Sequence, residues 1–411
     1  MSTANPGPDQ TSLRRDGSFV RLWVGQAISA VGDKLSSMAV VVWILTRNDG
    51  ALALGAVFAV RVLATSALLM IGGTLADRLP ARQQTIAAQL GLGLTVAALA
   101  VIPAGAPLSL VLVLFAAAGV ADALLGPASL MLVFDLAGPD RLGAANAAST
   151  LSLRVAGLLG PALGGVLVAT IGIKPTLLLD AASFLVAALA VASTRRVVRI
   201  RPPRAGAGRP TIFQEAAAGL QFAVRTRWLR AVLVSDLSQT FLAVAPWFVL
   251  LPIALVPRGT TGYAIAITAF AAGGLLGSAV PLRWKPRAIG RAALVSHALF
   301  ALPLVALALD VPIAILTVAC GIGGFGADLG AVLFMTGLQG GVPVAILGRV
   351  TALSSLGSIA LLPAGFAAAG TLAPTVGVQP ILLGGAAVIL LATALALRTD
   401  GVAYMGASVS H

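Results

Sequence analysis

Apolar residues fill this chain in long runs, and polar residues collect in short breaks between them. A helix needs about 20 mostly apolar residues to cross a bilayer. Breaks at charges and at Pro/Gly turns predict twelve such helices, over 19–45, 52–76, 83–103, 107–133, 146–171, 175–194, 229–256, 261–282, 288–309, 312–338, 346–370 and 376–397. Lipid offers the backbone no hydrogen-bond partners, and these runs are too long and too uniformly apolar for barrel strands. The predicted fold class is therefore an all-α membrane protein, a bundle of 12 transmembrane helices.

The longest polar break splits the spans six and six. It reads "RRVVRIRPPRAGAGRPTIFQEAAAGLQFAVRTRW", residues 195–228, and begins as a basic Pro/Gly-bearing linker. From Thr211 its spacing predicts a short amphipathic helix lying on the membrane. The expected organisation is a tail at 1–18, a six-helix bundle at 19–194, the linker at 195–228, a second six-helix bundle at 229–398 and a tail at 399–411. A weak internal echo supports two related halves: "LGAANAASTLSL" at 142–153 resembles "LGRVTALSSLGS" at 347–358, an offset of 205 residues. Repeats of this kind are common in transporters, whose substrate sites lie near the midplane where the repeats meet.

Composition agrees with the span count. Hydrophobic residues make up 58% of the 411 and charged residues only 10%, against roughly 25% charged in a water-soluble domain. The net charge of +13 is explained by topology rather than by nucleic acid. With both termini cytoplasmic, 21 of the 27 basic residues fall in cytoplasmic tails, loops or helix ends, as the positive-inside rule requires. Only Arg47, Lys174 and Arg258 fall outside, while Lys34, Arg61 and Arg154 lie within spans. The N-terminal stretch "MSTANPGPDQTSLRRDG" lacks the apolar core of a signal peptide placed at the start. Arginine outnumbers lysine 24 to 3 and Ala and Gly are abundant, a composition typical of a high-GC bacterium, so the expected location is the bacterial inner membrane. One cysteine, Cys320, excludes a disulfide framework within the chain, and two histidines, His297 and His411, are too few for a histidine-based metal site. No Gly-rich nucleotide loop and no Ser-His-Asp set is present. The chain reads as neither an enzyme nor a metalloprotein, and no cofactor is expected.

The remaining chemistry lies in charges placed inside the spans, where they are costly and usually functional. Span one carries Asp33 and Lys34 side by side. Asp33 is 14 residues from the start of its span, about 21 Å at 1.5 Å per residue and so near mid-membrane. Gln26, Ser29, Asp33 and Ser37 recur at steps of three or four on one helix face, a polar stripe facing a cavity. Lys34 is about 100° round from that stripe, toward a neighbouring helix. Arg61 in span two and Asp122 in span four sit at similar depth. Asp33 thus has three open states: paired with Lys34, paired with Arg61, or protonated. Asp122 and Arg154 form a candidate pair between spans four and five. In span seven, Asp236, Gln239 and Thr240 form a short polar face. Asp328, in the middle of span ten, is a second candidate proton carrier. Asp180 and Asp310 are expected near the outer face, in solvent. Thr351, Ser355 and Ser358 of span eleven either line the cavity or help helices pack, and His297 reads as a packed polar group.

Three stretches resemble the major facilitator superfamily. "GGTLADRLPAR", residues 72–82, is similar to its signature loop between spans two and three, here with Pro80 where the family often has Gly and Ala81 where it often has a base. The resemblance implies a conformational latch made by Gly73, Asp77, Arg78 and Arg82, with Asp77 meeting Arg349 at the start of span eleven. "GLLGPALGG", residues 157–165, resembles the exporter motif of the fifth helix, which implies that Gly157, Gly160, Pro161, Gly164 and Gly165 make a bent, tightly packed span that seals against leak. "FVRLWVGQAISAVGDKLSSMAV", "LALGAVFAVRVL" and "GRVTAL" resemble the macrolide-efflux and enterobactin-exporter branch. The arginine common in the superfamily's fourth helix is missing; Asp122 stands in that span instead.

The implied protein is a major facilitator fold of two six-helix halves that exports drug-like or siderophore-like amphipathic molecules against protons, working as a monomer in the lipid bilayer. Its proton or substrate candidates are Asp33, Asp122, Asp328, Arg61, Arg154 and Asp236. Its polar cavity residues are Gln26, Ser29, Ser37, Gln239 and Ser355. Rival readings are an importer or lysophospholipid mover of the same fold, and a membrane sensor or scaffold that transports nothing.

Overall fold

The computed structural model describes residues 16–47, 50–78, 80–103, 105–138, 141–195, 220–403 and 405, and for 69–78, 344, 345, 352, 355 and 356 the backbone alone. Twelve helices among them are long and apolar enough to cross a membrane. In the first half these are α1 (Gly17–Leu45), α2 (Gly50–Arg78), α3 (Ala81–Val101), α4 (Leu108–Ala137), α5 (Leu142–Thr170) and α6 (Ile173–Ala192). The second half has α7 (Arg227–Arg258), α8 (Thr260–Leu282), α9 (Ile289–Ala308), α10 (Ile313–Gly341), α11 (Val344–Val376) and α12 (Val378–Leu397). The expected boundaries fall close to these; the largest difference is at the end of α11, which runs through Pro374 to Val376. Of the amphipathic helix expected from Thr211, residues 211–219 lie outside the described residues, and 220–225 are helical.

Two spans are irregular, and a proline accounts for each. In α7 the helix widens into a π turn at Thr240–Val244, directly before Pro246. Proline has no N–H and its ring crowds the carbonyl four residues back. That carbonyl, of Leu242, faces Gly385 of α12, where a Cβ would stand only 2.8 Å from the oxygen. In α9 the helix breaks between Ala298 and Ala301, just ahead of Pro303, which leaves the Leu299 carbonyl without its usual donor. Other prolines, such as Pro127 and Pro161, sit in helices that continue through them.

The helices form two compact units: residues 1–47 with 60–202, and 48–59 with 203–411. In the first unit α6 packs on both α1 and α3, and α5 packs on α1. Its core at one end gathers Phe19, Leu22, Leu132, Leu136 and Val191. That end is tied by charge. Asp16 caps α1 by accepting from the Ser18 and Phe19 amides at 3.1 and 3.3 Å, and Arg195 reaches it at 3.4 Å. Arg195 also donates to the Leu136 carbonyl at 2.9 Å. The second unit is built round Trp247, with Phe300 and Phe270 at 5.9 and 6.2 Å between ring centres. The first turns of α2 belong to this unit: Phe58 stacks edge-on with Phe366 of α11 at 5.5 Å. A Cβ on Gly55 would stand 2.5 Å from the Phe366 carbonyl oxygen.

Candidate functional site

The first unit encloses a cavity of about 410 Å³. Helix α1 contributes Trp23, Gln26, Ser29, Ala30 and Asp33, residues at helical spacing on one face. Across from them stand Gln89 and Leu92 of α3, Asp122 and Leu125 of α4, Ser149 and Ser152 of α5, and Phe184 of α6. The wall is mostly carbon, with polar groups at a few points, the usual make-up of a small-molecule pocket. Three polar atoms on this wall have no partner among the described residues: Gln26 Nε2, Gln89 Oε1 and Ser149 Oγ. Gln89 is 1% exposed, and its amide donates to Ser29 Oγ at 3.4 Å. Ser29 in turn donates to the Gln26 carbonyl at 3.2 Å.

The charges gather on the border of this cavity. Asp33 Oδ2 accepts from Lys34 Nζ at 2.9 Å and Asp33 Oδ1 from Arg61 Nη2 at 3.2 Å. The same guanidinium donates through Nε to Asp122 Oδ2 at 2.8 Å. Its planar fork suits two carboxylates presented from two helices. Arg61 thus joins α1, α2 and α4, and Asp33 holds both bases that the sequence offered as alternatives.

Close backbone approach makes this reach possible. A Cβ on Gly119 of α4 would collide with the Arg61 carbonyl oxygen. The Thr65 hydroxyl sits 2.9 Å from that oxygen and 3.1 Å from the Gly119 carbonyl.

Several expectations are corrected. Lys34 starts out toward the neighbouring α5, its Cβ against Gly160, and its flexible stem brings the ammonium back to Asp33. Asp122, read as a partner for Arg154, takes its bond from Arg61, while Arg154 sits exposed on α5 with an interaction of its own. Asp180, read as solvated near the outer face, is 0% exposed. Helix α1 covers it, and Ser183 donates to its Oδ1 at 3.1 Å. Ser37 is exposed and donates to the Asp33 carbonyl at 2.6 Å rather than lining the cavity.

In the glycine-rich fifth span, Gly160 and Gly164 seat α5 on α1. A Cβ on Gly160 would collide with that of Lys34, and one on Gly164 would come within 2.8 Å of the Leu35 carbonyl oxygen. Gly165 is buried and Pro161 lies inside the helix, whereas a Cβ on Gly157 would meet nothing. Arg82 donates to the carbonyls of Val191 and Ala192, at the end of α6. The side chains of Gly73, Asp77, Arg78 and Ser355 lie outside the described residues. Arg349 is half-buried at the start of α11 and has an interaction of its own.

The second unit holds its buried acids differently. Asp236 of α7 accepts from the Ser358 hydroxyl of α11 at 2.5 Å. Gln239 turns back to donate to Ser235 at 2.7 Å, and Thr240 is buried in the π turn. Asp236 is thus bonded across to α11 and the Gln239 amide nitrogen along its own helix, while Gln239 Oε1 has no partner among the described residues. Asp328 of α10 packs on Gly274 of α8, where a Cβ would lie 2.8 Å from its Oδ2. His297 lies against the Gly330 backbone and 6.4 Å from the Phe300 ring, within electrostatic reach of Asp236.

The sequence reading did not single out Gln89, Asn146 or Ser149. A Gln in an apolar span, as in "QQTIAAQL" of α3, was the available signal.

Comparison with known proteins completes the picture. The family model described as Major Facilitator Superfamily matches residues 22–362. No curated protein matches the chain. Among solved structures the chain is similar to the nucleoside transporter NupG, with a TM-score of 0.70, 13% identity, and 92% of this chain and 98% of that chain covered. It is similar to a bacterial homologue of the iron transporter ferroportin in an inward-facing state, with a TM-score of 0.70, 18% identity, and 93% and 98% covered. A bacterial homologue of the human lysosomal transporter Spinster gives a TM-score of 0.66, 13% identity, and 92% and 95% covered.

Proposed function

Because the chain belongs to the Major Facilitator Superfamily, and so is a multi-pass membrane carrier of small molecules, we propose that it is a secondary active exporter. Its cargo is an amphipathic drug-like, antibiotic or siderophore-like molecule, and its driving force is proton antiport with alternating access. The observation that carries this reading is the first unit's cavity: a carbon-lined space with unpartnered amide and hydroxyl groups, bordered by titratable residues near mid-membrane. The wall suits a cargo with a large apolar face and a few hydrogen-bonding groups. Asp33, Asp122 and Arg61 are the charged groups a proton or cargo would meet there.

Three further points support the reading. Gly160 and Gly164 pack α5 tightly on α1, in keeping with the exporter-type fifth helix and its role as a seal. The resemblance of spans one, two and eleven to macrolide and enterobactin exporters supports a place in that branch. The distribution of basic residues supports cytoplasmic termini in a bacterial inner membrane, and nothing in the mechanism requires more than one copy of the chain. The latch between Asp77 and Arg349 belongs to the same reading, as do Asp328 and Asp236 as titratable groups of the second half.

The test is a panel of toxic compounds and siderophores applied to cells with and without the gene, followed by transport of any hit into inverted membrane vesicles. Cargo should accumulate when the vesicle interior is acidified, and collapse of the pH gradient should abolish it. Accumulation in right-side-out vesicles instead would make the protein an importer. Unchanged sensitivity across the panel and no vesicle transport would favour a sensor or scaffold.

A further inference from the structure

Asp180 differs from the two acids beside the cavity. Asp33 and Asp122 share two bases, Lys34 and Arg61, at 2.8–3.2 Å. Asp180 meets none. One oxygen accepts from Ser183 at 3.1 Å, the Ser36 hydroxyl of α1 also acts on the carboxyl, and Oδ2 has no geometric hydrogen-bond partner among the described residues. The side chain is 0% exposed, because the seam between α1 and α6 is made of small residues. A Cβ on Gly32 would stand 2.5 Å from Asp180 Oδ1 and would collide with Ser183 Oγ; one turn-pair earlier, Gly25 packs on Ala187 and Ala190. Helices that touch this closely shield the carboxyl from bulk solvent.

The charged groups on every packed helix can be named. On α1 they are Asp33 and Lys34, with Arg21 about one turn from the start of the helix. Arg61 of α2 and Asp33 are the charges that act on Asp180. Helix α3 has one charged residue, Arg82, and it bonds carbonyls at the far end of α6. Helix α5 has Arg154, which is exposed, and α6 itself has Lys174, exposed in its first turn. Lys34 and Arg61 are bonded to Asp33 and Asp122. An ionised Asp180 would add a negative charge with no base bonded to it in a buried seam, the arrangement that membrane interiors tolerate least.

We propose that Asp180 is the residue that holds and releases the transported proton, and that Asp33 and Asp122 serve as the acid partners of Arg61. This rests on the antiport reading above and relocates its proton. On release, the O–H bond of the Asp180 carboxyl breaks and a water admitted to the opened seam takes the proton. The carboxylate left behind repels Asp33 and draws on Arg61, which then has three acids to serve. Proton loss is thereby felt on α1, α2 and α4 together, at the edge of the cavity.

The experiment uses the purified full-length protein and its Asp180→Asn, Asp33→Asn and Ser183→Ala variants. Infrared difference spectra, wild type minus variant, look for the carbonyl band of a protonated carboxylic acid. Asp180→Asn should remove one such band at neutral pH, and Asp33→Asn should remove none. Ser183→Ala should move the same band to higher frequency, since a carbonyl that loses a hydrogen bond stiffens; this arm decides the matter if Asp180→Asn does not fold. In vesicles, Asp180→Asn should lower pH-driven accumulation at least tenfold. No band lost at Asp180, a band unmoved by Ser183→Ala, or full pH-driven accumulation by Asp180→Asn would each overturn the proposal. If wild-type vesicles show no pH-driven transport, the antiport reading fails on its own and the infrared band alone judges Asp180.

Discussion

The seam between α2 and α4 and the seam between α8 and α10 are made alike and filled differently. Each joins the second and fourth spans of its half through a glycine pressed on a carbonyl: Gly119 on that of Arg61, Gly324 on that of Phe270. Each then places an acid within a turn of the glycine, Asp122 in one and Asp328 in the other. At the matching place on the partner helix the first half has a guanidinium and the second a phenyl ring. The first half therefore holds Asp33 and Asp122 with bases, and the second packs Asp328 on Gly274 and bonds Asp236 to a serine hydroxyl. The same backbone contact serves a seam with a guanidinium at its edge and one with a phenyl ring, so the scaffold does not dictate the chemistry carried on it.

The strongest way to break this comparison is to make the two seams alike. Arg61→Leu strands Asp33 and Asp122 with Lys34 alone. Removing one partner of a buried pair costs about 3–5 kcal/mol, and the lower end applies here because the three side chains are 27–31% exposed. Phe270→Leu, at the corresponding place, trades one apolar side chain for another and should cost less than about 1.5 kcal/mol. Thermal unfolding in detergent should separate the two variants clearly; equal losses would mean that the ion pair is not what distinguishes the halves.

The shared part of the comparison is tested by Gly119→Ala and Gly324→Ala. Each new methyl runs into backbone that cannot turn aside, so each should cost about 1–3 kcal/mol, by similar amounts. A tolerated alanine at one glycine would show that the seams are not equivalent. A smaller effect is expected from Ser358→Ala, which removes the hydroxyl held by Asp236. The loss should be about 1 kcal/mol, read as a modest drop in the unfolding midpoint. The smallest belongs to Lys34→Met. Lys34 is 46% exposed and Arg61 still serves Asp33, so the loss should stay under about 1 kcal/mol. A larger loss would make Lys34, rather than Arg61, the main counter-ion of Asp33.

The twelve spans were legible because a run of apolar residues long enough to cross a bilayer has few other uses. The stripe at Gln26, Ser29 and Asp33 was legible because helical spacing fixes which residues share a face. The irregular turns were not, since proline gives no fixed outcome: Pro246 and Pro303 follow a wide turn and a break, while Pro127 and Pro161 lie in continuous helix. Asp180 was misplaced for a different reason. Counting residues from the nearer end of α6 gives its depth, but its exposure depends on which face α1 covers, and that is set by Gly25 and Gly32 on another helix. Gln89 and Ser149 escaped notice because their role comes from three helices meeting round one space.

The π turn of α7 gives span seven a spare residue. Between Thr240 and Val244 the helix carries one residue more than an α-turn needs, so the register of the chain before it is offset from the register after it. Asp236 lies just ahead of it and Trp247, fully buried, just behind. One residue is about 100° of helix rotation, so the extra one lets Asp236 meet Ser358 of α11 while Trp247 keeps its place among Phe270 and Phe300.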